Sequence, residues 1–561
     1  MKKKYSLSIS LVLMLLLSNT IYSQNIVATS PTMNAINVPV NANLTITFDA
    51  VITPVIFVSA TVTIMGSQTG RILGTFSGIN TNVITFNPNV DFKPGEIISI
   101  SLKTSTNRVV ASFTTEVSPN SAGAFDYGQN VITTNANRAF SVFSADLDGD
   151  GDLDVLSASI DDNKIAWYEN DGNGNFGAQQ IITTSVDEAW GIYAADLDND
   201  GDMDVISASS RDDRIAWYAN DGLGNFGSQQ NITTRANLVR RIDVSDIDGD
   251  GDLDVISTSS NTGHIYWYRN NNNGNSWTEE IVTSSEATGS AIYTTDLDND
   301  GDIDVLAASN GYVIWYENNG LANFSSLQNI STSGYSVAGI YAKDLDGDGY
   351  QDVLVAITSV GTVWYKNNGN GTFGSQQIIA PHAIALFSYG VYATDLDGDG
   401  DMDVISASSS DDKVAWYAND GTGNFGTQQI ITTSADAVRN IYAVDLDGDG
   451  DMDILSASGS DNKIAWYKNE NNPLSLNNNE LKDNVLLYPN PVKSQINIKV
   501  ANGVIIQKIE IYDLTGRLVK KQNIENSLEI IQIDILNLKQ ANYNIKITTD
   551  KGILTKKLIK I

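Results

Sequence analysis

Strings of alternating aspartates are the most chemically suggestive feature of this 561-residue sequence. The first reads Asp146-Leu147-Asp148-Gly149-Asp150-Gly151-Asp152-Leu153-Asp154. Close copies begin at Asp196, Asp246, Asp296, Asp344, Asp395 and Asp445. Every copy has Asp at positions 1, 3, 5 and 9 and Gly at position 6. Carboxylates at alternate positions of a tight loop can converge on one hard cation. Glycine at position 6 permits the sharp turn, and the carbonyl of position 7 can add an oxygen. The candidate ligands are therefore Asp146, Asp148, Asp150 and Asp154 in the first loop, Asp196, Asp198, Asp200 and Asp204 in the second, and Asp246, Asp248, Asp250 and Asp254 in the third. The fourth and fifth contribute Asp296, Asp298, Asp300, Asp304, Asp344, Asp346, Asp348 and Asp352. The last two contribute Asp395, Asp397, Asp399, Asp403, Asp445, Asp447, Asp449 and Asp453.

The pattern is the front half of an EF-hand loop, without its end. Position 12 is Ser157, Ser207, Ser257, Ala307, Val355, Ser406 or Ser456, never the bidentate Glu, and the flanks have strand period. The ninth-position Asp closes the ligand set instead. Oxygen-only ligation selects Ca²⁺ over zinc or copper, and Mg²⁺ prefers fewer carboxylates and more water. The expected cofactor is Ca²⁺, up to seven ions, one per loop.

Composition narrows the alternatives. The chain has no Cys and two His, which excludes disulfides, thiolate metal sites and a cysteine nucleophile. The formal charge is −33, unsuited to nucleic-acid binding. Residues 125–469 hold 54 acidic and 14 basic residues, and 34 of the acidic ones lie in the seven loops. So many carboxylates in short loops repel one another unless a counter-ion is present. No G-x-S-x-G, H-E-x-x-H or phosphate loop occurs, and the expectation is that the protein is not an enzyme.

The loops recur every 48–51 residues, each inside the same larger unit. An alternating segment such as Ile192-Tyr193-Ala194-Ala195 leads into the loop. Asp204–Ala208, then Ile215-Ala216-Trp217-Tyr218, an Asn220-Asp221-Gly222 turn and Gln229–Thr233 complete it. Four short β segments separated by Gly, Asn and Asp turns predict a four-stranded antiparallel blade of a propeller. The seventh unit stops after Trp466-Tyr467-Lys468-Asn469, before its fourth strand. The segment Phe125–Thr134 resembles the fourth-strand text Asn424–Thr433 and is predicted to complete that blade, closing a seven-bladed ring without open edges.

Trp167, Trp217, Trp267, Trp315, Trp364, Trp416 and Trp466 recur once per unit, each followed by Tyr. They read as packing between blades, with a ring of sugar-stacking platforms as the rival reading. Trp190 lies off the repeat and is the better ligand candidate; Arg240-Arg241 could bind an anionic glycan or balance local charge. His264 and His382 read as surface residues.

These units resemble FG-GAP/VCBS repeats, the blades of integrin α-subunit propellers and of many secreted bacterial proteins. The resemblance rests on D-x-D-x-D-G-x-x-D and on the hairpin Asn170–Gly177, and it implies structural Ca²⁺ in the loop. Residues 24–118 alternate apolar and polar, with Pro94-Gly95 before another strand, and resemble a bacterial Ig-like β-sandwich in Asn37–Asn43 and Phe86-Asn87-Pro88. Residues 485–561 resemble a type IX secretion C-terminal sorting domain in Tyr488-Pro489-Asn490-Pro491, Ile509–Arg517 and Tyr543–Ile547. Residues 1–23 read as a signal peptide, with Lys2, Lys3 and Lys4 before an apolar stretch. Residues 470–484 read as a linker.

The expected architecture is all-β: a seven-bladed propeller over 125–469, flanked by the N-terminal Ig-like sandwich and the C-terminal sorting sandwich. The expected protein is secreted or held at the outer cell surface, exported by the type IX machinery, and has no transmembrane span. Its expected role is binding or adhesion, toward a glycan or a surface protein. The alternatives are a polysaccharide-active enzyme and a purely structural surface protein.

Overall fold

The computed structural model describes residues 25–53, 61–103, 108–119, 121–125, 128–283, 289–309, 311–320, 323–325, 327–332, 334–381, 390–471, 485–500, 506–512, 518–524, 530–536, 538–549 and 552–561. The leader, most of the linker and His382 lie outside them. The described residues contain strands and turns and no helix.

Seven four-stranded antiparallel sheets follow one another along the ring. In the first, the inner strand Ala139–Ala145 pairs with Asp154–Ser159, then Lys164–Tyr168, then the outer strand Gln180–Thr183. The two middle strands are buried along their whole length, and the outer strand is largely exposed. Continuous burial follows from a blade covered on both faces by its neighbours, which is why these strands read as Val-, Ile- and Ala-rich runs rather than alternating ones. The turn between them is tight. Asn163, Asp213, Asp412 and Asn462 take left-handed φ of 53–59° there, a conformation Asn and Asp tolerate best among residues with a side chain. Lys164, Arg214, Lys413 and Lys463 just beyond it pair with Asp162, Asp212, Asp411 and Asp461 at 2.6–3.2 Å.

The ring closes as the sequence predicts. Asn130–Thr133 pairs antiparallel with Lys463–Tyr467, so the segment ahead of the first blade supplies the outer strand of the last. Inner strands of successive blades touch in an unbroken cycle, Val438–Val444 against Ala139–Ala145 included. A second device joins the ends: Ser121–Phe125 pairs with Asn469–Asn471. Its Gly123, at φ +56°, lies against the Trp416 indole, where an added Cβ would come within 2.4 Å of the ring. Gly224, Gly274, Gly423 and Gly174 lie in the same way against Trp167, Trp217, Trp364 and Trp466. Each of these Trp residues therefore packs under a glycine turn of the next blade, and Gly123 stands in where the seventh unit has no such turn. The seven recurring Trp are 2–5 % exposed, so they are packing residues and not sugar platforms.

The N-terminal region is a sandwich of two sheets. One holds Ile26–Ser30, Leu44–Phe48, Val83–Pro88 and Gly74–Ser77; the other holds Ala35–Val38, Arg108–Thr115, Ile97–Lys103, Thr61–Gly66 and Gly70–Arg71. Leu44, Ile46, Phe86, Ile98 and Phe113 fill the space between. The C-terminal region is a second sandwich, of Val485–Tyr488, Gln495–Val500 and Ile530–Asp534 against Leu518–Asn523, Ile506–Tyr512, Ala541–Thr549 and Gly552–Lys560. Its core includes Ile496, Ile498, Ile511, Ile533 and Tyr543.

Gly123→Val places a branched side chain in the left-handed region and against Trp416. It is expected to destabilise the ring by about 1–3 kcal/mol, read as a lower denaturation midpoint of residues 25–471. A midpoint equal to wild type would exclude the proposed seal.

Candidate metal centres

Each aspartate loop joins the inner strand of a blade to the next strand, at one end of the ring. Two positions need left-handed backbone. Position 6 is always Gly, at φ of 88–106°, and position 4 is Gly or Asn, at φ of 60–75°. This explains why Asn199 and Asn299 are the alternatives to Gly at position 4.

Inside the first loop the carboxylates organise the backbone. Asp146 accepts the Gly149 N–H at 2.8 Å, and Asp150 accepts that of Asp152 at 2.8 Å. Asp154 is fully buried and accepts two N–H groups, from Leu147 at 3.0 Å and from Asn170 at 2.8 Å. The Asn170 side-chain amide then donates to Leu153 and, across the blade boundary, to the Leu446 carbonyl at 2.7 Å. The same clamp recurs at Asn220, Asn270, Asn318, Asn367, Asn419 and Asn469, each reaching the second loop position of the preceding blade. Seven such clamps run around the whole ring. The clamp falls to the Asn two places beyond each Trp-Tyr, a position the sequence alone marks only as part of the repeat.

In five of the loops the structure gathers three of the four carboxylates singled out in the sequence. Oxygens of Asp146, Asp148 and Asp154 lie within 4.8 Å of one another, as do those of Asp196, Asp198 and Asp204. In the third, fourth and fifth loops positions 1, 3 and 5 gather: Asp246 with Asp248 and Asp250, Asp296 with Asp298 and Asp300, and Asp344 with Asp346 and Asp348. In the second, third, fifth, sixth and seventh loops Oδ1 of Asp198, Asp248, Asp346, Asp397 and Asp447 is buried and accepts no hydrogen bond. Clustered anionic oxygens with unused lone pairs suit a divalent cation with oxygen ligands, so the residues present fit such an ion. Position 7 plays another part. Asp152, Asp202, Asp302 and Asp401 lie against the hairpin glycines Gly172, Gly222, Gly320 and Gly421, and Tyr350 occupies that place against Gly369.

Burial, with repulsion from neighbouring carboxylates, pushes the loop acids upward. Asp154, Asp204, Asp352 and Asp403 rise to about 8 and Asp304 to about 9, despite the N–H groups that oppose the shift. At position 1, Asp196, Asp246 and Asp296 rise to about 7. At neutral pH these groups either hold a proton or face a cation.

The loops are not equivalent. The residue following Trp-Tyr is Glu169, Ala219, Arg269, Glu317, Lys366, Ala418 or Lys468. Lys366 bonds Asp346 and lies 2.8 Å from Asp348. Lys468 bonds Asp447 and lies 3.2 Å from Asp449, and Arg269 bonds Asp248. This variation stood in the sequence as a charge change at one repeat position.

The loop-bearing end of the ring carries the N-terminal sandwich. Lys93 reaches the Gly151 carbonyl, Arg71 that of Asn199, Arg108 that of Asp248, and Asn37 that of Gly400. The Val110 and Ser118 N–H groups donate to Gly301 and Gly450 at 2.7 and 2.8 Å. Below this cap runs a channel of about 210 Å³, with Ser67 and Ile97 of the sandwich on its wall. Three residues before each loop, Phe143, Tyr193, Asp243, Tyr293, Tyr341, Tyr392 and Tyr442 line it. Ring centroids 4.6–5.6 Å apart link Tyr293, Tyr341, Tyr392, Tyr442, Phe143 and Tyr193 into an arc. Asp243 interrupts it, accepting the Thr294 N–H and hydroxyl at 2.7 and 2.8 Å. Burial raises this carboxyl to about 6.

Trp190 does not present a ligand platform. One side packs on Phe140 at 4.3 Å between centroids, and the Arg240 guanidinium lies 4.5 Å from the indole centre. Only 8 % of the residue is exposed. Arg240 therefore serves a cation–π stack. His264 is half-buried, with Nδ1 3.2 Å from the Tyr266 hydroxyl.

Fold and loops together define a β-propeller with a carboxylate cluster at the head of each blade. The chain belongs to the FG-GAP-like repeat family, which it matches over residues 146–207, 196–257, 246–307, 296–355, 344–406 and 395–456. Each match runs from one aspartate loop through the next. Residues 23–127 match a bacterial Ig-like domain and residues 486–561 a secretion system C-terminal sorting domain. The chain is thus a type IX secretion cargo, secreted or held at the cell surface. No curated protein sequence matches it. Among solved structures it is similar to an Agrocybe aegerita lectin described as recognising non-reducing terminal N-acetylglucosamine. That pair shares 19 % identity over 67 % of this chain and 90 % of the other, with a TM-score of 0.42. It is also similar to a Burkholderia pseudomallei lectin, at 16 % identity over 60 % and 99 % of the two chains and a TM-score of 0.40. A Bacteroides thetaiotaomicron protein of unknown function shares 12 % identity over 80 % and 98 %, with a TM-score of 0.33.

The raised carboxyls set a pH dependence. Groups whose folded pKa lies above the unfolded value leave stability intact below about pH 4 and remove it as pH rises toward 8. In chelator, the melting temperature is expected to fall by roughly 5–10 °C between pH 5 and pH 8. In calcium it is expected to stay level. A chelated melt that rises with pH would overturn this account.

Proposed function

We propose that the protein is an exported, calcium-loaded binding module without catalytic activity, displayed or released at the cell surface to hold a glycan or another protein. The observation that carries the reading is the use to which the ring puts its carboxylates. They gather oxygens for a hard cation, organise the loop backbone and lock each blade to the next. Calcium is the cation the ligand set suits, because each cluster offers several carboxylates, an added carbonyl and no nitrogen or sulfur. An ion bound to the folded ring alone stabilises it by mass action. The rigid ring then serves as the scaffold that export by the type IX route delivers outside the cell.

The decisive assay places the protein on soluble and insoluble polysaccharides, in calcium and in chelator. Protein depletion and new reducing ends are measured together. Calcium-dependent depletion without new ends is the expected result. New ends would overturn the reading in favour of an enzyme, and neither signal would point to a protein partner or a structural role. Removal of residues 485–561 is expected to abolish surface delivery and leave the rest in the periplasm. Undiminished delivery, by cell fractionation, would refute the export route.

A further inference from the structure

We propose that the carboxylate loop of the third blade is a docking socket for the N-terminal domain, filled by arginine and lysine side chains instead of a divalent cation. The proposal rests on the calcium reading of the other loops for its ion count alone. Arg269, from the same blade, bonds Asp248. Arg108, at the start of the N-terminal strand Arg108–Thr115, lies 3.2 Å from the Asp248 carboxylate and donates to the Asp248 carbonyl at 2.6 Å. Lys103, at the end of Ile97–Lys103, lies 3.6 Å from Asp250. Three basic side chains thus meet the carboxylates of one loop.

Burial and backbone agree with this. Asp246 and Asp248 are buried, whereas Asp146 and Asp148 at the same positions of the first loop are half-exposed. Gly249, at φ +65°, would carry a Cβ only 2.9 Å from that of Arg108, so the arginine stem rests on bare backbone. A divalent ion entering the cluster would have to displace or face these positive charges at contact distance. Basic side chains of the N-terminal domain elsewhere meet loop carbonyls, as Lys93 does at Gly151 and Arg71 at Asn199, while the neutral Asn34 meets the Asn299 side chain. Lys366 and Lys468 enter the fifth and seventh loops from their own blades and are as exposed as Arg269 and Lys103; what sets the third loop apart is the pair of basic side chains from the N-terminal domain. Glu169 and Glu317, at the position of Arg269, add negative charge to the first and fourth blades.

The test compares Asp148→Asn and Asp248→Asn in the full chain. Bound calcium is counted by native mass spectrometry, and docking is read by hydrogen–deuterium exchange over residues 97–103 and 108–115. Asp148→Asn is expected to lose one calcium and keep the N-terminal exchange of wild type. Asp248→Asn is expected to keep the wild-type count and to raise exchange there roughly tenfold. Loss of one calcium by Asp248→Asn, or unchanged exchange, overturns the socket. The double variant Lys103→Ala/Arg108→Ala leaves the ring carboxylates in place and is expected to raise the same exchange; protection equal to wild type overturns the proposal. Should wild type bind no calcium, the calcium reading falls, and the exchange of this double variant still decides the socket.

Discussion

At the ninth position of every loop a fully buried aspartate accepts backbone N–H groups from two segments at once. Asp154 takes those of Leu147 and Asn170, and the six equivalents do the same. Because the Asn side chain reaches back to the preceding blade, one carboxylate fixes the loop, the hairpin of its own blade and the boundary with the blade before it. Two N–H groups favour the ionised form, yet burial and the neighbouring acids outweigh them and raise the group to about 8. The ring therefore hangs on a carboxylate that its surroundings do not fully satisfy. A cation at the loop would supply the missing charge and would join ion binding to the integrity of the blade contacts.

The second constraint is topological. A ring of separate blades has an end to seal, and here the seal has two layers. Asn130–Thr133 completes the last sheet, and Gly123 sets its turn against Trp416 as the glycines of the hairpins do elsewhere. The chain enters this closing segment directly from the sandwich seated on the loop end of the same ring. The segment that closes the ring also positions its cap, so closure and capping share one stretch of backbone.

Much of this was legible in the sequence because it repeats. Period, strand order, the missing outer strand and the carboxylate positions are all consequences of one unit copied seven times, and a copied unit amplifies weak signals. The packing role of the seven Trp also followed from repetition. What stayed hidden was non-periodic or relational. The seat of the sandwich depends on Lys93, Arg71, Asn37 and Arg108, which lie in loops and strand ends with no pattern of their own. Trp190 looked available because it stands outside the repeat. Phe140 and Arg240, which cover it, come from the flanking blades at the corresponding strand position, a neighbourhood that exists only once the ring is formed. The tyrosine arc was present as one residue three places before each loop, but its meaning needed the channel.

The third blade departs from the unit at several positions. Asp243 replaces the channel aromatic, Arg240 and Arg241 stand at its inner strand, and Arg269 follows Trp-Tyr. Its outer strand, Ser276–Thr283, extends the hairpin to Asn271 where five other blades make a single Asn–Phe bridge. Of these, Arg269 lies at the loop where Arg108 and Lys103 land, as a second binding surface superimposed on a structural repeat would require. Asp248 in that blade answers two constraints at once, the fit of the ring through Arg269 and the fit of the cap through Arg108.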